Sequence, residues 1–159
     1  MRKADREIKN FEEIVDVISR CDTIRLGISD AGAPYIVPVS FGYEVLEGKL
    51  AVYFHGAKAG RKAELLGSHP RVCVEADLCH GFPANEYGGY TCDYESVIGY
   101  GAVELLSGEE AEKGLRLLMV HCGFPALGCP ENAMAVTAVN RVILDEIAGK
   151  RRGLVKTNA

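Results

Sequence analysis

VYFHGAKAGRKAELL, residues 52–66, changes character in the middle. An apolar run closes on His55. Then come Gly56, Lys58, Gly60 and the pair Arg61-Lys62, and after them a helical pattern runs to Leu66. The stretch reads as a strand that ends, a basic glycine-spaced junction, and a short helix over 59–66. A helix N-terminus leaves backbone N–H groups unpaired and carries partial positive charge, so it attracts anions and disfavours cations. Three cations at such a start call for a reason. A bound phosphate supplies one: Arg61 grips it with two parallel hydrogen bonds while Lys58 and Lys62 act as point charges. Gly56 and Gly60 let the backbone come close. The competing reading is a solvated basic face on a surface helix. Neither GxxxxGK[ST] nor a helix-opening GxGxxG is present, which argues against a P-loop or a Rossmann dinucleotide site.

Working outward, Phe11, Ile14, Val15 and Ile18 recur at helical spacing, so a helix is expected over 10–20. TIRLGIS (23–29) alternates as a strand, DAGAP (30–34) turns, and YIVPVSFGY (35–43) is a second strand. Pro38 cannot donate to a ladder, so its position should be an edge or a bulge. LEGKL (46–50) reads as a hairpin leading into a third strand, LAVYFH. Gly67 and Pro70 should end the short helix, before a fourth strand at RVCVEAD (71–77). Residues 78–91 read as a long loop and 94–106 as a long strand, whose Gly99 and Gly101 imply a bend or a close backbone approach. Ser107 and Glu110 have capping-box spacing before a helix with Leu115, Leu118, Met119 and Cys122 on one stripe. Residues 122–132 read as a loop and 134–149 as a last strand. Short turns between successive strands imply antiparallel pairing. An antiparallel barrel with helices at its ends fits this order, as one domain over 1–150 with a basic tail at 151–159.

The chain has 159 residues, 48% hydrophobic and 25% charged, with a net charge of −4, which is ordinary for one folded domain and argues against a general nucleic-acid binder. No apolar run approaches a membrane span and no signal-type segment opens the chain, so a cytoplasmic protein is expected. Six cysteines stand at 21, 73, 79, 92, 122 and 129, with no CxxC pair. A zinc site built from Cys79, His80, Cys92, His121 and Cys122 would need spacings unlike the usual ones, so no metal is expected. Cys21 and Cys73 read as small core hydrophobes, and Cys79, Cys92 and Cys129 as loop residues whose reactivity stays open.

GAPYIVPVSFGY, GKLAVYFHGAKAGRKAELLGSHPRVCVEAD and SVIGYGAVELL, in that order, resemble the flavin-binding split-barrel superfamily that includes pyridoxamine 5′-phosphate oxidase. Together with MRKADREI and EIAGK they are similar in particular to its nitroimidazole-resistance branch. The resemblance implies a mainly β fold, a split antiparallel barrel with flanking helices, assembled as a homodimer with FMN at the interface. It implies that Lys58, Gly60, Arg61 and Lys62 hold the phosphate; the family often has Ser-Arg-Lys where this chain has Gly60-Arg61-Lys62. It implies that Pro38, Val39, Ser40 and Phe41 line the ring system, that Phe54, His55 and Gly56 lie beside it, and that Ser96 and Val97 approach from the long strand. His55 would then either donate a proton to a reduced substrate or simply hydrogen-bond cofactor or backbone. The C-terminal stretch with which the vitamin-processing oxidases hold pyridoxal has no counterpart in GKRRGLVKTNA. The expected activity is an FMN-dependent oxidoreductase passing electrons to a small acceptor such as a nitroaromatic, with the loop 78–92 and its Tyr87 and Tyr90 over the ring. The alternatives are a non-catalytic flavin-binding or redox-sensing module, FAD in place of FMN, or a haem-binding relative of the same barrel.

Overall fold

The structure, a computed structural model, describes residues 4–125 and 131–153. Among these, a 3-10 turn (Ala4–Arg6) leads into β1 (Glu7–Ile8), α1 (Phe11–Ser19), β2 (Ile24–Ile28), β3 (Tyr35–Val39), β4 (Gly42–Leu46) and β5 (Lys49–Ala57). There follow α2 (Arg61–Ser68), β6 (Arg71–Gly81), β7 (Asp93–Leu106), α3 (Gly108–His121), α4 (Glu131–Val136) and β8 (Thr137–Arg152). Every ladder is antiparallel, in the order β3-β2-β6-β7-β8-β5-β4, with β1 added on the C-terminal part of β8. The two ends of that order, β3 and β4, are joined through Ser40 and Phe41, and the sheet is not closed between them. This is a mainly β, split antiparallel barrel with flanking helices.

Alternation decides which residues meet inside. β2 buries Ile24, Leu26 and Ile28, each 0% exposed, on one face. Val52 and Phe54 of β5, Val72 and Val74 of β6, and Val142 and Leu144 of β8 complete the barrel interior. Each such side chain contributes about 1.5–3 kcal/mol by leaving water. One end is plugged by α1, which buries Ile14, Val17 and Ile18. Asn10 caps α1: its Oδ1 accepts from the Glu12 N–H at 2.7 Å, which satisfies an otherwise orphaned donor. The opposite face of β5 carries Ala51 and Tyr53 into a second cluster under α3, with Leu106, Ala111, Leu115 and Val139. No helix among the described residues is long and apolar enough to cross a membrane.

Several expectations hold. Pro38 sits on β3, an edge strand that among the described residues pairs with β2 alone, where its missing N–H does no harm. Glu47 and Gly48, with φ of 49° and 78°, make the two-residue turn between β4 and β5, where a type I′ turn needs positive φ twice. The register of β7 against β8 shifts between Tyr100 and Gly101. A Cβ on Gly101 would stand 2.2 Å from the Ile143 carbonyl oxygen, so the close approach expected there is real.

Others are corrected. The single strand expected over 35–43 divides at Ser40 and Phe41, because β3 pairs with β2 while β4 pairs with β5 at the other end of the sheet. The short helix runs over Arg61–Ser68, so Gly67 lies inside it; Pro70 disfavours helical backbone at His69, and the helix stops there. β6 continues through Leu78 and Cys79 to Gly81 because both pair with β7, which shortens the expected 78–91 loop and puts Cys79 in a strand. Ser107 is the N-cap of α3 but makes no side-chain cap bond. Glu110 is drawn instead to Arg141 of β8, 3.0 Å away, so the expected box does not form. Residues 134–136 belong to α4, and the last strand starts at Thr137. It ends at Arg152, past the expected end at 149, with Arg151 paired to Glu13 at 2.9 Å. Cys129 and residues 154–159 of the expected tail lie outside the described residues.

Gly42 is where α3 rests on the sheet: a Cβ there would be 2.3 Å from the Leu118 backbone nitrogen. Gly42→Ala should therefore push α3 off β4 and cost about 1–3 kcal/mol, read as a lowered denaturation midpoint.

Candidate functional site

β5 ends and α2 begins beside the first turn of the edge strand β3. Three basic side chains emerge there, each held differently. Lys62 folds back under β5, with its Nζ donating to the His55 carbonyl oxygen at 3.2 Å and lying 5.7 Å from the centre of the Phe54 ring. Gly56 makes this possible, since a Cβ there would sit 2.6 Å from the Lys62 Nζ. Lys58 Nζ donates to the Ala135 carbonyl oxygen at 2.7 Å. Arg61 turns the other way, donating to Asp30 and placing its guanidinium 5.8 Å from the centre of the Tyr35 ring.

Helix α2 starts on Gly60, whose φ of 98° suits glycine and which has no side chain to cap the first N–H groups. Beside this start lies a cavity of about 470 Å³. Gly56, Lys58 and Lys62 form its polar side, and Leu66, Val103 and Leu105 stand on its apolar side. That volume is in the range of small-molecule sites. A second cavity of about 300 Å³ shares Lys58 and Leu105 with the first and reaches Ser107 at the start of α3.

Electrostatically the corner favours an anion. Burial lowers the pKa of Lys62, so its ammonium has lost water that a single carbonyl only partly replaces. His55 is exposed near the end of β5, yet partial desolvation, and then the nearby Lys62 charge, hold its imidazole below the ordinary value. Both effects favour the neutral imidazole. An anion against Lys62 would offset that charge and raise the imidazole's proton affinity.

Most of the expected site residues fall into three groups, with His55 exposed near the end of β5 and Ser96 apart from them. Lys58, Gly56 and Lys62 share the cavity wall, with Gly60 and Arg61 at the helix start beside it. Pro38 and Ser40 are exposed and Val39 is half-buried, along the β3 edge and the turn that follows. Phe41, Phe54 and Val97 are core residues, 0%, 0% and 2% exposed, so none of them presents appreciable surface to a ligand. Ser96 pairs with Asp77 and Lys150, far along β7 from the cavity residue Leu105. Phe41 also stacks with His121, ring centres 4.4 Å apart, and His121 Nε2 lies 2.8 Å from the Cys21 carbonyl oxygen. His80 is held by Glu95 at 3.1 Å. Among the described residues, no three His, Cys, Asp or Glu side chains gather as a metal site.

Sequence reasoning missed Asp30 and Tyr35, which receive Arg61, and Val103, Leu105, Ala138 and Asn140, which line the cavity. The first two lie in the turn and edge strand already singled out. The last four carried no signal, because the register of β7 on β8 and β5 on β8 is what places them.

The chain belongs to the pyridoxamine 5′-phosphate oxidase family, whose family model matches residues 10–151. Its fold is also that of a candidate 5-nitroimidazole antibiotic resistance protein from Bacteroides thetaiotaomicron, at 29% identity and a TM-score of 0.81, covering 91% of this chain and 85% of that one. A flavocytochrome from Azotobacter vinelandii superposes at 24% identity and a TM-score of 0.77, covering 97% of this chain and 72% of that one. An FAD and haem binding protein from Mycobacterium smegmatis does so at 16% identity and 0.80, covering 97% and 77%. No curated protein matches the chain in sequence.

Because Lys62 adds to the lowering at His55, Lys62→Met should move the imidazole titration midpoint upward, toward about 6.5. NMR titration of the His55 ring protons checks this, and an unchanged midpoint would leave burial as the whole cause.

Proposed function

We propose that the chain binds a flavin mononucleotide at the α2 corner and uses it to pass electrons from a reductant to a small acceptor, a nitroaromatic being the leading class. The observation that carries the reading is the pair Lys58 and Lys62 on one wall of a 470 Å³ cavity, next to a helix start that no side chain caps. Ammonium groups, free N–H groups and a close-approach glycine are the donor set a phosphate needs. Family membership supports the same reading, as does the likeness to a candidate nitroimidazole-resistance protein.

In this reading Lys62 and Lys58 neutralise the phosphate, and Arg61 joins them by leaving Asp30 or stays to fix the β3 edge through Tyr35. Pro38, Val39 and Ser40 present edge backbone to the flat ring, with Phe41 behind them. The bound flavin supplies hydride and electron transfer. His55 is the chain's proton-handling group at the corner. Its lowered pKa makes it a hydrogen-bonding partner in the free protein, and neutralisation of Lys62 by a phosphate lets it hold a proton for an acceptor. Ser96 and Leu105 are nine positions apart on β7, roughly 30 Å at strand rise. Ser96 and the Val97 backbone would therefore meet a flavin only across a homodimer, on the partner's site.

FAD is the second reading, favoured by the adjoining 300 Å³ cavity that shares Lys58 and Leu105 and offers room beyond a mononucleotide.

A visible spectrum of the purified protein, with mass spectrometry of the released cofactor, tests the reading. Flavin bands with the mass of FMN support it. FAD keeps the site and extends the ligand, a Soret band replaces flavin with haem, and no binding of added flavin overturns it. Lys62→Ala should weaken flavin binding by about 1.5–3 kcal/mol, roughly ten- to a hundredfold in Kd, measured by fluorescence titration.

A further inference from the structure

Two thiols outside the α2 corner have no part in that reading. Cys79, near the end of β6, and Cys92, just before β7, place their sulfurs 3.6 Å apart. They sit where the β6–β7 register shifts, between the pairs Cys79–Tyr94 and Gly81–Asp93. The segment between them folds on itself. Asn85 Oδ1 accepts from the Tyr87 and Gly89 N–H groups, at 2.9 and 3.1 Å, and Ala84 bridges Tyr90. The segment exposes Phe82, next to the end of β6, and Tyr87 and Tyr90 further along, 68%, 87% and 79% accessible. The two cysteines thus stand at the base of a projecting aromatic loop.

We propose that Cys79 and Cys92 form a reversible dithiol–disulfide pair that staples the base of this loop, oxidised by a small-molecule disulfide such as oxidised glutathione. A disulfide needs sulfurs at about 2.05 Å, so the two have to close by about 1.5 Å. Both ends of the loop are already brought together by the β6–β7 ladder.

The roles divide by exposure. Cys79 is exposed and Cys92 half-buried. The Cys79 thiolate attacks one sulfur of the small disulfide, and a thiolate leaves and takes up a proton. The Cys92 thiolate then attacks Sγ of Cys79, the intramolecular bond forms, and a second small thiol departs. Two protein thiols are oxidised and one small disulfide is reduced to two thiols. Desolvation, the Cys79 sulfur and the charges of Asp93 and Asp77 raise the Cys92 thiol pKa, which disfavours Cys92 as the first attacker and leaves it to react within the mixed disulfide, where Sγ of Cys79 is already close. Around the pair, Asp77 is itself bound by Arg25, and His80 by Glu95.

The test uses the full-length chain exposed to oxidised glutathione, then alkylation, proteolysis and mass spectrometry. The expected result is loss of alkylation at both Cys79 and Cys92 and gain of one cross-linked peptide that dithiothreitol abolishes. Cys92→Ser should stop at a glutathione adduct on Cys79. Exposed Cys122 serves as the reference for oxidant activity. An adduct on Cys122 while Cys79 and Cys92 both remain separately alkylated overturns the proposal. So does a bond from Cys79 to a second molecule in place of Cys92.

Discussion

The β7–β8 ladder is the constraint on which the rest of the molecule depends. It runs from the Tyr94–Arg152 pair to the Leu106–Val139 pair, and β8 also carries β5 on its N-terminal half and β1 near its C-terminus. One strand thereby ties the N-terminal arm, the barrel wall and the floor of the cavity together. Midway, Asp145 is left out of the pairing, and a β-carbon at Gly101 would collide with the Ile143 carbonyl oxygen. A bulge of this kind bends and twists the strand pair. On the Tyr94–Arg152 side of it the ladder reaches the packed interior through Val97; on the other side Val142 and Leu144 face that interior, while Val103, Leu105, Ala138 and Asn140 open onto the cavity. The unpaired Asp145 and its neighbour Glu146 meet Arg71 at 2.8 and 2.6 Å, which anchors the bulge to the start of β6.

The corner at α2 shows how similar charges come to differ once folded. Arg61, Lys62 and Lys58 are a few positions apart, yet one pairs with Asp30 on the surface, one lies half-buried under Gly56, and one reaches a carbonyl before β8. The exposed pair contributes little to stability, since solvent screens it. The half-buried ammonium has been desolvated with one carbonyl acceptor, which makes it the group most improved by an added anion. Another buried polar group is fully engaged. Tyr53 donates to Glu44 at 2.5 Å while Lys113 holds the same carboxylate at 2.7 Å, and burial with that bond pushes the phenol up to about 12. That network supports α3 against β4 and β5.

Much of this was readable from local chemistry. The alternation of Ile24, Leu26 and Ile28, the proline at 38, the Glu47-Gly48 turn and the glycines at 99 and 101 each has a short-range physical meaning, and each of these features appeared as that meaning required, although the strand carrying Pro38 ends at Val39. The failures share a cause as well. The capping box at Ser107 and Glu110 lost to Arg141, a residue distant in sequence. The loop expected at 78 became strand because β7 offered partners to Leu78 and Cys79. The start of the last strand became α4, since strand propensity at Met134, Ala135 and Val136 does not act without a ladder partner.

By itself the sequence determined most of the element order, missing β1, α4 and the division of 35–43 into β3 and β4, together with the faces that must be buried and the basic, glycine-spaced junction at 56–62. These depend on neighbours within a few residues, through side-chain period, backbone freedom and charge at a helix start. Only the tertiary structure decided that β3 and β4 leave the barrel split, that Lys62 turns in while Arg61 turns out, that four residues of β7 and β8 complete a cavity, and that Cys79 and Cys92 touch. Those outcomes follow from ladder register, and register is set by the summed packing of strands far apart in the chain, which no short stretch encodes.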